Sequence, residues 1–129
     1  MENIQQILKK ERNNENQIYL YKVDDYWFAY ERSAFYMFSI CCVDAIFKVR
    51  DPKEENAMLI AVMKKGVDGI DNPHFSVFEK SDNSLIINCS TTCKGFQHWK
   101  DRFVPLINDM DSINAINEYY QYANYSYQN

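Results

Sequence analysis

Glycine, proline and histidine are scarce, with three, three and two among 129 residues. Glycine lets backbone approach a phosphate closely or turn with positive φ, so its scarcity leaves little scope for a glycine-rich phosphate loop. Two imidazoles leave few general bases. Nothing approaches the run of about 20 apolar residues that a membrane-spanning helix needs. The opening stretch, MENIQQILKKERNNENQ, lacks the apolar centre of a secretory signal. These absences predict a cytoplasmic chain with no membrane partner. An excess of positive charge is missing too. Fourteen Lys and Arg against 18 Asp and Glu give a net charge of −4, whereas sequence-independent nucleic-acid binding draws its affinity from a basic face.

What is present is apolar and aromatic. Hydrophobic residues make up 47% and aromatics 16%, including ten tyrosines. A chain of this length fits one domain, residues 1–129, and buries enough surface for a core without disulfides or metal. The four cysteines, Cys41, Cys42, Cys89 and Cys93, are expected to be reduced in the cytoplasm.

Residues 2–12 carry Ile4, Ile7 and Leu8 on one helical face, with Lys9, Lys10 and Arg12 in the last turn, where cations suit the helix dipole. Residues 17–30 place β-branched and aromatic residues on both sides of Asp24-Asp25, the pattern of a hairpin. From Ser33 the period changes. Ala34, Phe35, Phe38, Cys41 and Cys42 recur at helical spacing, so a largely buried helix follows. Ala45–Val49 reads as a short strand, stopped by Asp51-Pro52. Ala57–Met63 reads as a central strand, ended by Lys64-Lys65-Gly66. Phe75–Phe78 and Leu85–Ile87 read as a second hairpin. After Thr91 the helical period returns, with Phe96, Trp99, Phe103 and Val104 on one face and a break or kink at Pro105. Ile107, Met110, Ile113, Ile116 and Tyr120 suggest a last helix. The result is an α+β domain: a mixed or antiparallel sheet of about five or six strands with flanking helices.

The chemistry-bearing residues are sparse. Cys89, Cys93 and His98 have the spacing of part of a zinc set, but a structural zinc needs four ligands and the remaining cysteines are adjacent. We therefore expect no metal. His74 and His98 are the imidazole bases available to a nucleophile, and neither lies in a nucleophile motif. The carboxylate pairs Asp24/Asp25, Glu54/Glu55 and Asp109/Asp111 fall in turns or polar faces, without the burial that tunes a catalytic acid. Gly66-Val67-Asp68-Gly69 matches a G-x-x-G loop, but Asp68 would repel a phosphate. No catalytic residue and no cofactor are expected. The distinctive feature is the aromatic hairpin. Tyr19, Tyr21, Tyr26, Trp27, Phe28 and Tyr30 cannot share one face, because side chains alternate along a strand. Some must meet a second layer, a partner or solvent.

The stretch from Ile18 to Ala34, IYLYKVDDYWFAYERSA, resembles the start of the N-terminal mismatch-recognition domain of MutS proteins. That family has an apolar strand, a Gly-Asp turn, Phe-Tyr-Glu-Ala-Phe and then a helix. The stretch also resembles small stand-alone proteins of that fold. The resemblance implies a MutS N-terminal-like fold. It sets the base-stacking Phe of the family on Tyr26, the base-reading Glu on Phe28 and the turn Gly on Asp24. Phe28 can neither donate nor accept a hydrogen bond, so base-specific reading by that route is lost. The expected function is therefore a small non-enzymatic binding or accessory module. Protein partners or self-association are expected ahead of weak nucleic-acid binding. Tyr26, Trp27, Phe28, Tyr119 and Tyr122 are the candidate contact residues. The alternative is a self-associating structural protein that uses the aromatic hairpin or the Tyr-rich C-terminus.

Overall fold

A computed structural model describes residues 4–41, 43–50, 58–64 and 72–107. Helix α1 (Ile4–Arg12) precedes the hairpin of β1 (Gln17–Val23) and β2 (Tyr26–Tyr30), and α2 (Glu31–Ile40) follows at once. Strands β3 (Ala45–Arg50) and β4 (Met58–Lys64), the hairpin β5 (Phe75–Lys80) and β6 (Ser84–Cys89), helix α3 (Phe96–Arg102) and β7 (Leu106–Ile107) complete the order. The strands form one sheet in the order β5-β6-β1-β2-β4-β3-β7. The first six pair antiparallel, and the two-residue β7 adds parallel to β3 at the edge. The class is α+β, as patterning predicts.

Alternation sorts the aromatic hairpin between two layers. Ile18, Leu20, Trp27 and Ala29 point to one face and join Ile60, Val62, Leu85 and Ile87 beneath α2 and α3. Tyr21, Tyr26, Phe28 and Tyr30 point to the other and join Phe47, Val49 and Ala61 with Ile7 of α1. A side chain of this size, once buried, contributes roughly 1.5–3 kcal/mol, so both faces hold the sheet. Helix α3 is short and is pinned by rings. Trp99 stands 5.1 Å from Phe35, 5.3 Å from Phe38 and 6.3 Å from Phe96, centroid to centroid.

Two sequence expectations need correction. Phe103 was expected beside Trp99 on one helical face. The helix ends at Arg102, and Phe103 is 68% exposed, its ring edge-on to His98 at 5.6 Å. Ile107 was expected to open a last helix but lies in β7. Lys48 N–H donates to Pro105 O at 2.8 Å, drawing the chain into an extended path beside β3. The rest of that expected helix, the G-x-x-G sequence and Cys42 lie outside the described residues.

Candidate binding groove

Helix α1 is seated by a buried polar knot. Glu11 lies on the apolar stripe of α1, four residues after Ile7, and is 1% exposed. Its Oε1 accepts from Ser33 N–H at 2.9 Å and from Asn14 Nδ2 at 3.1 Å, and its Oε2 accepts from Ser33 Oγ at 2.6 Å. The N-cap residue of α2, Tyr30, makes no side-chain cap. Glu11 supplies one from another helix, a carboxylate set against the free N–H groups and positive end of the dipole. Ser33 Oγ also accepts from Tyr19 N–H at 2.9 Å, which ties β1 into the same knot. Burial pushes the Glu11 carboxyl up to about 7, outweighing the hydrogen bonds from Ser33 and Asn14 that pull it down.

With α1 fixed over β1 and β2, the described residues leave a groove of about 720 Å³ on the β1–β6 part of that face. This is within the range of ligand sites. Gln6 and Lys10 of α1 form one wall, Glu79 and Asn83 of the β5–β6 hairpin the other, and Tyr19, Tyr21, Ser84 and Ile86 line the floor. The Lys10 ammonium lies 5.4 Å from the Tyr19 ring centroid, a cation–π contact. Tyr19 Oη donates to Gln17 Oε1 at 2.8 Å, and Gln17 Nε2 donates to Asn88 Oδ1 at 2.8 Å, fixing the tyrosine at the groove floor. A smaller recess of about 370 Å³ continues along α1 past Gln6, Lys9, Lys10 and Asn13. Lys22 also lines the groove, but its ammonium lies 5.9 Å from the Trp27 ring centroid, on the opposite face. Among the described residues, Lys10 and Lys9 of α1 line the groove and its adjoining recess.

The residues singled out from sequence fall elsewhere. Tyr26, Trp27 and Phe28 are 3%, 3% and 6% exposed. Trp27 packs in the layer beneath α2, and Tyr26 and Phe28 in the layer on the α1 side. Tyr119 and Tyr122 lie outside the described residues. Cys89, Cys93 and Cys41 gather on the α2 side of the sheet. Burial and the neighbouring Cys93 and Cys41 push the Cys89 thiol up to about 12, which leaves it inert as a nucleophile. Among the described residues no group of three or more His, Cys, Asp and Glu could hold a metal ion. Among the same residues no helix is long and apolar enough to cross a membrane. His74 Nδ1 lies 2.7 Å from Thr91 Oγ1 and 3.4 Å from Ser90 Oγ. This hydroxyl–imidazole pairing depends on the β5–β6 register and has no local sequence signal. Among the described residues no carboxylate hydrogen-bonds that imidazole, and it stands exposed rather than in a cleft, so it lacks the parts of a nucleophilic centre.

Sequence reasoning passed over Glu11, Lys10 and Tyr19 as a set. Glu11 carried a readable signal, a carboxylate in register with Ile4, Ile7 and Leu8. The groove carried none, since it depends on where α1 crosses the sheet. Comparison with known protein families, curated proteins and solved structures finds no match.

Proposed function

We propose that the chain is a small non-enzymatic binding or accessory module, with a fold like that of the MutS N-terminal domain, that binds a polypeptide segment. The groove beside α1 carries this reading. It joins an aromatic and aliphatic floor to polar walls, and its cationic rim lies on α1. Tyrosine provides large contact area with a polar tip, which suits a protein interface. Burial of Tyr26 and Phe28 speaks against base stacking at the positions the MutS resemblance marks. The test is titration of the full chain with a random copolymer of glutamate and tyrosine, beside oligo(dT) and matched and mismatched DNA duplexes. Saturable copolymer binding, weakened at least about fivefold (roughly 1 kcal/mol) in Lys9→Glu/Lys10→Glu, is expected. DNA binding that is tighter than copolymer binding, or that prefers a mismatch more than about tenfold (roughly 1.4 kcal/mol), would overturn the reading.

Self-association is the second reading, favoured by one observation. Among the described strands β5 lies at an edge of the sheet, and its Val77 and Phe78 are 64% and 62% exposed. Such an edge offers unpaired backbone groups to a second copy. The irregularity between Val77 and Glu79 kinks the strand there and limits long pairing. On this reading Phe78→Lys lowers the mass measured by light scattering from twice 15.4 kDa to that of the monomer. A monomeric mass for the unsubstituted protein at high micromolar concentration removes it.

A further inference from the structure

We propose that the groove selects a polypeptide segment carrying a Lys or Arg side chain beside an aromatic or aliphatic one, and that Glu79 is the residue that reads the cation. This rests on the groove being a polypeptide-binding surface. The ladder between β5 and β6 carries the argument. Val77 pairs with Ile87, and the next pair is Glu79 with Ile86, so Phe78 is an extra residue on β5. A bulge of this kind re-aims the side chain beside it. Paired residues share a face of the sheet. Ile87 belongs to the core beneath α2, whereas Ile86 lines the groove. Strict alternation from Val77 would set Phe78 over the groove and send Glu79 to the other face. The extra residue instead puts the Glu79 carboxylate on the groove wall.

That carboxylate is exposed, and among the described residues no cation pairs with it. Lys22 and Lys80 pair across the ladder with Trp27 and Leu85, whose side chains belong to the opposite face. Lys10 stands on the far wall, its ammonium over the Tyr19 ring. Asn83, on the same wall as Glu79, offers an amide oxygen as a second acceptor. A carboxylate above a floor of Tyr19, Tyr21 and Ile86 suits a side chain whose charged head ends an apolar stem, the chemistry of Lys and Arg.

The experiment titrates the full chain with two random copolymers, glutamate–tyrosine and glutamate–lysine–tyrosine, and compares their dissociation constants. The lysine-containing copolymer is expected to bind at least about threefold tighter, the scale of an exposed ion pair. Glu79→Gln is expected to erase that preference, and its retained binding of the glutamate–tyrosine copolymer reports an intact groove. Asp101→Asn removes the same charge from exposed α3, on the other side of the sheet, and is expected to keep the preference. Equal affinity for the two copolymers, or a preference that survives Glu79→Gln, overturns the inference and leaves the groove reading standing. A preference that Asp101→Asn also erases overturns it too, since net charge then accounts for it. Binding of neither copolymer by the unsubstituted chain overturns the groove reading itself, and this inference with it.

Discussion

Ser33 is fully buried, and its hydroxyl serves three partners: it donates to Glu11 Oε2 and accepts from Tyr19 N–H and Asn14 Nδ2. Ser33→Ala strands a buried amide and a carboxylate oxygen together, and each unmet group costs about 1–3 kcal/mol. We predict a loss of about 2–4 kcal/mol, read by urea denaturation. Glu11 sets a pH dependence of known sign. Its carboxyl sits at about 7 in the folded chain against an ordinary 4.5. Between those values the folded state holds a proton that the unfolded state has released, so this group's stabilisation is complete below about 4.5 and falls as pH rises through about 7. Near neutral pH the deficit is on the order of 3 kcal/mol. Nearby Glu31 adds to the upward push on Glu11. Glu31 is itself raised by burial, with Lys100 at 2.9 Å and Arg32 pulling it down, and among the described residues its Oε2 has no hydrogen-bond partner. Glu11→Gln is neutral and nearly isosteric, so it should remove the Glu11 component. Its stability relative to the unsubstituted chain should rise from pH 4.5 to 7 in parallel denaturation series. Two curves of identical shape would place the titration elsewhere.

Among the elements, the β1–β2 hairpin and α2 were the most legible in sequence. The strand period gives way to the helical one near Ser33, within two residues of the observed boundary between β2 and α2 at Glu31. Even so, patterning said nothing of the backbone at the junction. Asp24 and Glu31 have φ of 56° and 49°, left-handed values that carry strain for a residue with a Cβ. Asp24 stands first in the two-residue loop closed by Val23 and Tyr26, where glycine is the usual residue. Asp24→Gly should therefore stabilise the chain by about 0.5–1 kcal/mol, after the extra unfolded-state freedom of glycine is offset. A rise in thermal midpoint checks it, and a fall would show that the aspartate side chain holds the turn. The end of α3 was less legible. The apolar spacing of Phe96, Trp99 and Phe103 continues past Arg102, but the extended approach to Pro105 ends the helix first. That is why Phe103 emerges into solvent.

On the scale of the whole molecule, the sheet divides the aromatic surplus between two cores, and one face carries the groove beside α1. Patterning predicted the α+β class, because it reports each strand's two faces. It could not predict the groove, which joins residues of α1, β1, β5 and β6 that lie far apart in sequence. The central claim is that this groove is where the protein meets a polypeptide. Amide chemical shifts of the isotope-labelled full chain, followed through titration with the glutamate–tyrosine copolymer, test it most directly. The account predicts saturable shifts concentrated at Gln6, Lys10, Tyr19, Tyr21, Ser84 and Ile86, and reduced in Lys9→Glu/Lys10→Glu. Shifts centred on α2 and α3, or none at saturating copolymer, would contradict it.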